Sequence, residues 1–132
     1  MNSIEISTSK RSELVDITSR VEKIVKDSKA KDGLCVIFCP HTTAGLTINE
    51  NADPSVKKDI INYLEELVPQ DKNYTHSEGN SDAHIKSSLL GSSLNIIIEN
   101  GSLVLGTWQG IYFCEFDGPR QRQIYVKIIA AQ

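Results

Sequence analysis

Residues 93–105 read S-L-N-I-I-I-E-N-G-S-L-V-L. An apolar run meets Asn100-Gly101, and Leu103 to Leu105 returns. Both turn residues tolerate positive φ, so the segment predicts two antiparallel strands joined by a hairpin. The pattern continues downstream. Gly106 and Gly110 bracket Thr107-Trp108-Gln109 and predict a bulge or a close backbone approach. Ile111 to Phe116 reads as a strand and Asp117-Gly118-Pro119 as a turn. Gln123 to Ile129 reads as a closing strand with Ile124, Val126 and Ile128 inward.

Upstream, Ser3 to Thr8 alternates and reads as a half-buried strand, and Glu13 to Ile17 as a second. Ser19 and Glu22 have capping-box spacing and open a helix to about Ala30, with Val21, Ile24, Val25 and Ser28 inward. Leu34 to Cys39 is apolar at successive positions and predicts a central strand covered on both faces. A strand through Leu46 and Ile48 follows. Asp53-Pro54 then starts a helix, Asp as cap and Pro at the first helical position. Val56, Ile60, Leu64 and Leu67 mark its inner face, and Pro69 stops it. A short helix from Ser81 carries Ile85 and Leu89 on one side. The fold class is α+β: an antiparallel sheet or distorted sandwich with two main helices and one short helix, forming a single domain over residues 1–132.

Net charge of −3 and the absence of a Lys/Arg run argue against nucleic acid as a partner. No apolar stretch approaches the roughly 20 residues of a membrane span, and the N-terminus carries acid where a signal peptide needs base, so a cytoplasmic protein is expected. Cys35 and Cys39 lie four apart on one strand, about 13 Å at roughly 3.3 Å per residue, too far for a disulfide.

Chemistry concentrates in residues 74–91, Y-T-H-S-E-G-N-S-D-A-H-I-K-S-S-L-L-G. His76 and Glu78 are two apart, as are Asp82 and His84, and in extended backbone each pair points one way. Imidazole beside carboxylate suits a divalent metal, Mg or Zn, or an acid/base pair, with His41 joining from the loop after the central strand. The same residues also read as polar loop groups tied to backbone, and Asp82 with Lys86 as an i,i+4 helix pair. Thr42, Thr43 and Gly45 can present hydroxyls and N–H groups to an anion, or simply turn the chain between strands. Asn49, Glu50, Asn51 and Asp53 gather at a helix start, which suits an anion or Mg²⁺ but equally suits capping. Trp108, beside Gln109, can stack on an aromatic ligand or plug a core. Arg120 and Arg122 face one way and can clamp phosphate, or flank a charged turn.

Together these words resemble the YjbQ-like family, whose members are known as secondary thiamine-phosphate synthases. The resemblance rests on His41-Thr42-Thr43-Ala44, on Leu46 through Pro54, on His76 and Glu78-Gly79, on His84 through Gly91, and on Gly106 through Ile111. It implies a compact α+β homotrimer with a polar pocket made by the motif residues. It also implies that a pyrimidine diphosphate and a thiazole phosphate are joined with release of pyrophosphate. The expected catalytic or metal-holding groups are His41, His76 and His84, with Asp82 and Glu50 as catalytic carboxylates. The expected ligand-binding groups are Thr42, Thr43, Asn51, Lys86, Ser87, Trp108, Gln109, Arg120 and Arg122. The alternative is a non-catalytic module that binds a phosphorylated metabolite or anion.

Overall fold

A computed structural model describes residues Met1 to Gln132. The elements in chain order are β1 (Asn2–Ser7), β2 (Glu13–Asp16), α1 (Thr18–Ser28), β3 (Gly33–Phe38), β4 (Ala44–Glu50), α2 (Pro54–Leu67), α3 (Ser81–Leu90), β5 (Ser93–Glu99), β6 (Ser102–Leu103), β7 (Gln109–Glu115) and β8 (Gln121–Ala130). The fold is α+β. One antiparallel sheet has the order β1-β8-β3-β5-β6, the other the order β2-β7-β4. The hairpin at Asn100-Gly101 forms as predicted, with both residues at positive φ and Ile98 paired with Leu103.

β7 explains the layering. Its side chains alternate across the strand. Ile111 and Phe113 enter a core of 16 buried residues drawn from both sheets and α1. Tyr112 and Cys114 enter a second cluster, with Leu14, Ala83 and Phe116, that Ile60, Ile61, Leu64 and Leu90 of α2 and α3 cover. The three-stranded sheet is thus filled on both faces. The strand predicted to be doubly covered, β3, buries Cys35 and Ile37, while Phe38 on its other face is 44% exposed. Both strands are apolar at successive positions, so composition alone does not say which one helices cover.

Local chemistry sets the helix starts. Asp53 accepts a hydrogen bond from Ser55 N at 2.9 Å, and Pro54 takes the first helical position. α1 departs from the predicted capping box: it starts at Thr18, whose N and Oγ1 both donate to Asp16 Oδ1. On α2, Leu67 is 53% exposed and Val68, just past the helix, is buried instead. α3 departs most. Its buried residues are Asp82, Ala83 and Lys86, while Ile85 and Leu89 face out. An ionic network, described below, holds the charged side inward against the hydrophobic preference.

Candidate functional site

Three connections meet at one end of the molecule. The β3–β4 link brings Pro40, His41, Thr42 and Thr43. The start of α3 and the loop before it bring Glu78, Asn80 and His84. The β7–β8 turn brings Asp117, Arg120 and Arg122. Together they line a pocket of ≈ 400 Å³ with no hydrophobic residue in its wall. His84 is also part of the wall of a neighbouring pocket of ≈ 320 Å³, beside Tyr74, His76 and Ile85.

A buried ion pair forms the floor. Arg122 is 4% exposed and Glu115 is fully buried. Arg122 Nε donates to Glu115 Oε1 at 2.9 Å, and Nη2 donates to Glu115 Oε2, to Thr43 Oγ1 and to Thr43 O. Thr8 Oγ1 adds a bond to Glu115 Oε1 at 2.8 Å. Burial pushes the Glu115 carboxyl up, but the bonds from Arg122, the Asp117 amide and Thr8 outweigh it and hold the group below its ordinary value. The guanidinium is therefore fixed in place, and Nη1 makes no hydrogen bond within the chain. Arg120 is more open; its Nε donates to Asp117 O and its Nη2 to Asp117 Oδ2.

His41 is half-buried. Its Nε2 lies 2.9 Å from Gln123 O and 3.1 Å from Gln123 N, so a protonated Nε2 donates to the carbonyl and a bare one accepts the amide. Burial and the charge of Arg122 hold its pKa below the ordinary imidazole range, so the ring is neutral near pH 7. His84 and His76 pack edge to face with ring centroids 5.3 Å apart, and His76 Nε2 stands 3.7 Å from Glu78 Oε2.

The other expected residues fall elsewhere. In a helix Asp82 and His84 project about 200° apart, not together. Asp82 is fully buried and takes Arg11 Nη1 at 2.9 Å, Arg11 Nη2 at 3.1 Å and Lys86 Nζ at 2.9 Å. Burial raises its pKa, and these two cations more than reverse that. Lys86 Nζ also meets Glu65 Oε2 at 3.2 Å. Both charges are spent inside the fold. Ser87 Oγ donates to Ala44 O at 2.6 Å and fastens α3 to β4. That packing is close enough that a Cβ on Gly45 would stand 2.8 Å from Gly91 O.

Glu50, Asn51, Trp108 and Gln109 lie at the opposite end of the β4–β7 ladder, where Glu50 pairs with Gln109 while Ala44 pairs with Glu115. At about 3.3 Å per residue that is roughly 20 Å from the pocket within one chain. Asn51 fills the space a Cβ on Gly110 would take, donates from Nδ2 to Asp16 Oδ2, and donates from its backbone N–H to Trp108 O. Gln109 Oε1 accepts from Gly106 N across its own loop. Trp108 is 62% exposed and plugs no core in the single chain.

His41, His76 and His84 form no cluster of three metal-ligating side chains, and no group of three or more His, Cys, Asp or Glu in the chain does. The single chain therefore does not offer a fitted Mg or Zn site. Sequence reasoning missed Glu115, Asn80 and Asp117. A signal for Glu115 exists: an acid inside an apolar strand with an arginine seven residues on, across a turn.

The comparisons with known proteins concern the family and the overall fold. The profile of the family described as UPF0047 protein YjbQ-like matches residues 2–131. UPF0047 protein MJ1081 of Methanocaldococcus jannaschii is 66% identical over 125 residues, covering 95% of this chain and 91% of that protein. UPF0047 protein YugU of Bacillus subtilis is 52% identical over 130 residues, covering 98% of each. The crystal structure of a YjbQ/UPF0047 family protein from Clostridium acetobutylicum superposes with a TM-score of 0.96 at 58% identity, covering 98% of this chain and 100% of that one. The chain belongs to the YjbQ-like UPF0047 family.

Proposed function

We propose that the pocket binds the phosphate of a small molecule, and that the protein is a transferase joining a pyrimidine diphosphate to a thiazole phosphate with release of pyrophosphate. One observation carries this reading: His84 is shared by an all-polar pocket and by a neighbour walled by Tyr74 and His76. The first suits phosphate oxygens, and the second gives a heteroaromatic ring faces to lie on. In this reading Arg122 Nη1, Arg120 and the Thr42 hydroxyl hold the phosphate. His84 stands at the reacting centre between the two ligands. His41, kept neutral at rest, is free to take up a proton as a general base, becoming imidazolium as it does so. Within one chain the carboxylates of Asp82 and Glu50 take no part, since one is neutralised and the other is remote.

A homotrimer fits the surface. Phe38, Ile97 and Ile129 are exposed on the outer face of the five-stranded sheet, and Tyr63 and Leu67 on α2. Assembly would also be the route by which a second chain's residues reach the pocket, including any further ligand for a divalent ion. No step here uses a metal.

The test is pyrophosphate release by the purified protein given both substrates. Release that needs both, and falls at least tenfold in His84→Ala, is the expected result. Binding of each phosphate without turnover would favour the binding module, a reading consistent with a floor whose charges are already paired. No binding of either substrate would overturn both readings.

A further inference from the structure

Resting on the phosphate reading of the pocket, we infer that its ligand is zwitterionic: besides the phosphate, it carries an ammonium or similar cationic group that the pocket's own carboxylates receive. Charge counting around the wall motivates this. Two cations line the pocket, Arg120 and Arg122, and so do two carboxylates, Glu78 and Asp117. A pocket built for a bare phosphate would be expected to exclude the carboxylates, because like charges inside one small cavity repel.

The two sets cancel only in part, through the one pair of Arg120 with Asp117. Arg122 is neutralised from below by Glu115, which does not line the pocket, and its Nη1 has no partner in the chain. Asp117 receives Arg120 Nη2 and Asn80 Nδ2 on the same oxygen, Oδ2, while Oδ1 accepts nothing. The orientation of Asn80 is fixed by that bond, since the flipped amide would set its oxygen against a carboxylate. Glu78 is exposed and meets His76 at 3.7 Å, beyond hydrogen-bond length. The wall thus offers one fixed cationic donor, one half-exposed arginine and two carboxylates with unused oxygens. Imidazoles from His41 and His84 stand on the same wall. A ligand with anionic oxygens at one end and N–H donors at the other satisfies all of them. The volume of ≈ 400 Å³ admits a small metabolite of that kind.

Calorimetric titration with three soluble probes separates the possibilities: inorganic phosphate, ethylphosphonate and 2-aminoethylphosphonate. The last two differ by one ammonium. The expected result is that 2-aminoethylphosphonate binds at least about fivefold more tightly than ethylphosphonate, the scale of one partly exposed ion pair. Glu78→Gln and Asp117→Asn should each shrink that advantage, with ethylphosphonate binding as tightly as before or more tightly, since a like charge has been removed. Arg120→Met should weaken both phosphonates equally. Equal affinity for the two phosphonates would overturn the inference and leave the phosphate reading standing. An advantage untouched by either carboxamide variant would also overturn it, because the ammonium would then be held elsewhere. If none of the three probes binds, the phosphate reading fails and the inference fails with it.

Discussion

α3 presents two ionic environments on opposite sides. Inward, Asp82 and Lys86 are fully buried and joined to Arg11 and Glu65. Outward, His84 faces the polar pocket with Glu78 and Arg120. The inner set is closed: the Asp82 carboxylate binds two cations. The outer set is open, with oxygens and a guanidinium nitrogen unused. Charges that bind each other hold a fold together, and charges left unmatched are available to a ligand. The same short helix does both.

The largest effect should separate the two sides. Asp82→Ala strands Arg11 and Lys86 beside a buried gap and should cost about 3–5 kcal/mol, the scale of breaking a buried pair from one side. His84→Ala should stay within about 0.5 kcal/mol, as for a partly exposed residue without a structural bond. Urea midpoints read both. A His84→Ala loss as large as that of Asp82→Ala would erase the distinction.

Acid should expose a second, smaller difference. Asp82 and Glu115 are both held below their ordinary carboxyl values by the cations they face. Each therefore contributes stability that is present above its unfolded pKa near 4 and is lost as pH falls through its folded value. His41 also has a depressed pKa, set by burial and Arg122. Its contribution is present above about pH 6.5 and declines as pH falls below that. Folding free energy followed from pH 8 to 2 should show two windows. Asp82→Asn should flatten the lower one, by up to about 1.4 kcal/mol per pH unit. His41→Gln should flatten the upper one alone. A single window, or one His41→Gln leaves unchanged, would show that the pocket histidine is not coupled to its charged floor.

What was legible in the sequence was what neighbouring residues decide. Asp53-Pro54 caps α2 and Asn100-Gly101 turns the β5–β6 hairpin through chemistry contained within a few residues. The orientation of α3 was not legible, because hydrophobic periodicity puts Ile85 and Leu89 inside. What reverses it is Arg11, 71 residues away from Asp82. The pocket was half legible. His41, Thr42, Thr43, His84, Arg120 and Arg122 come together as a set. Trp108 and Asn51 do not, since the ladder that carries them runs away from it. Glu115 was legible only as an acid inside an apolar strand, since its bond to Arg122 is made across the β7–β8 turn.

Asn80 gives the smallest and finest test, because it belongs to both environments. It precedes α3, where an asparagine would ordinarily cap the helix, yet it makes no side-chain cap bond. Its Nδ2 instead donates to Asp117 Oδ2 at 2.9 Å, and its Oδ1 is buried without a partner. Two effects of Asn80→Ala oppose each other. Losing the bond to Asp117 costs about 1 kcal/mol, and relieving an unsatisfied buried acceptor returns about 1–3 kcal/mol less whatever the smaller side chain fails to fill. The two largely offset each other, and net stability should move by less than about 1 kcal/mol. The change at the pocket should be larger than the change in stability. Asp117 loses the neighbour that fixes its carboxylate, so affinity for 2-aminoethylphosphonate should fall while ethylphosphonate holds. A strong loss of stability with unchanged binding would place Asn80 with the inner, closed set and not with the pocket.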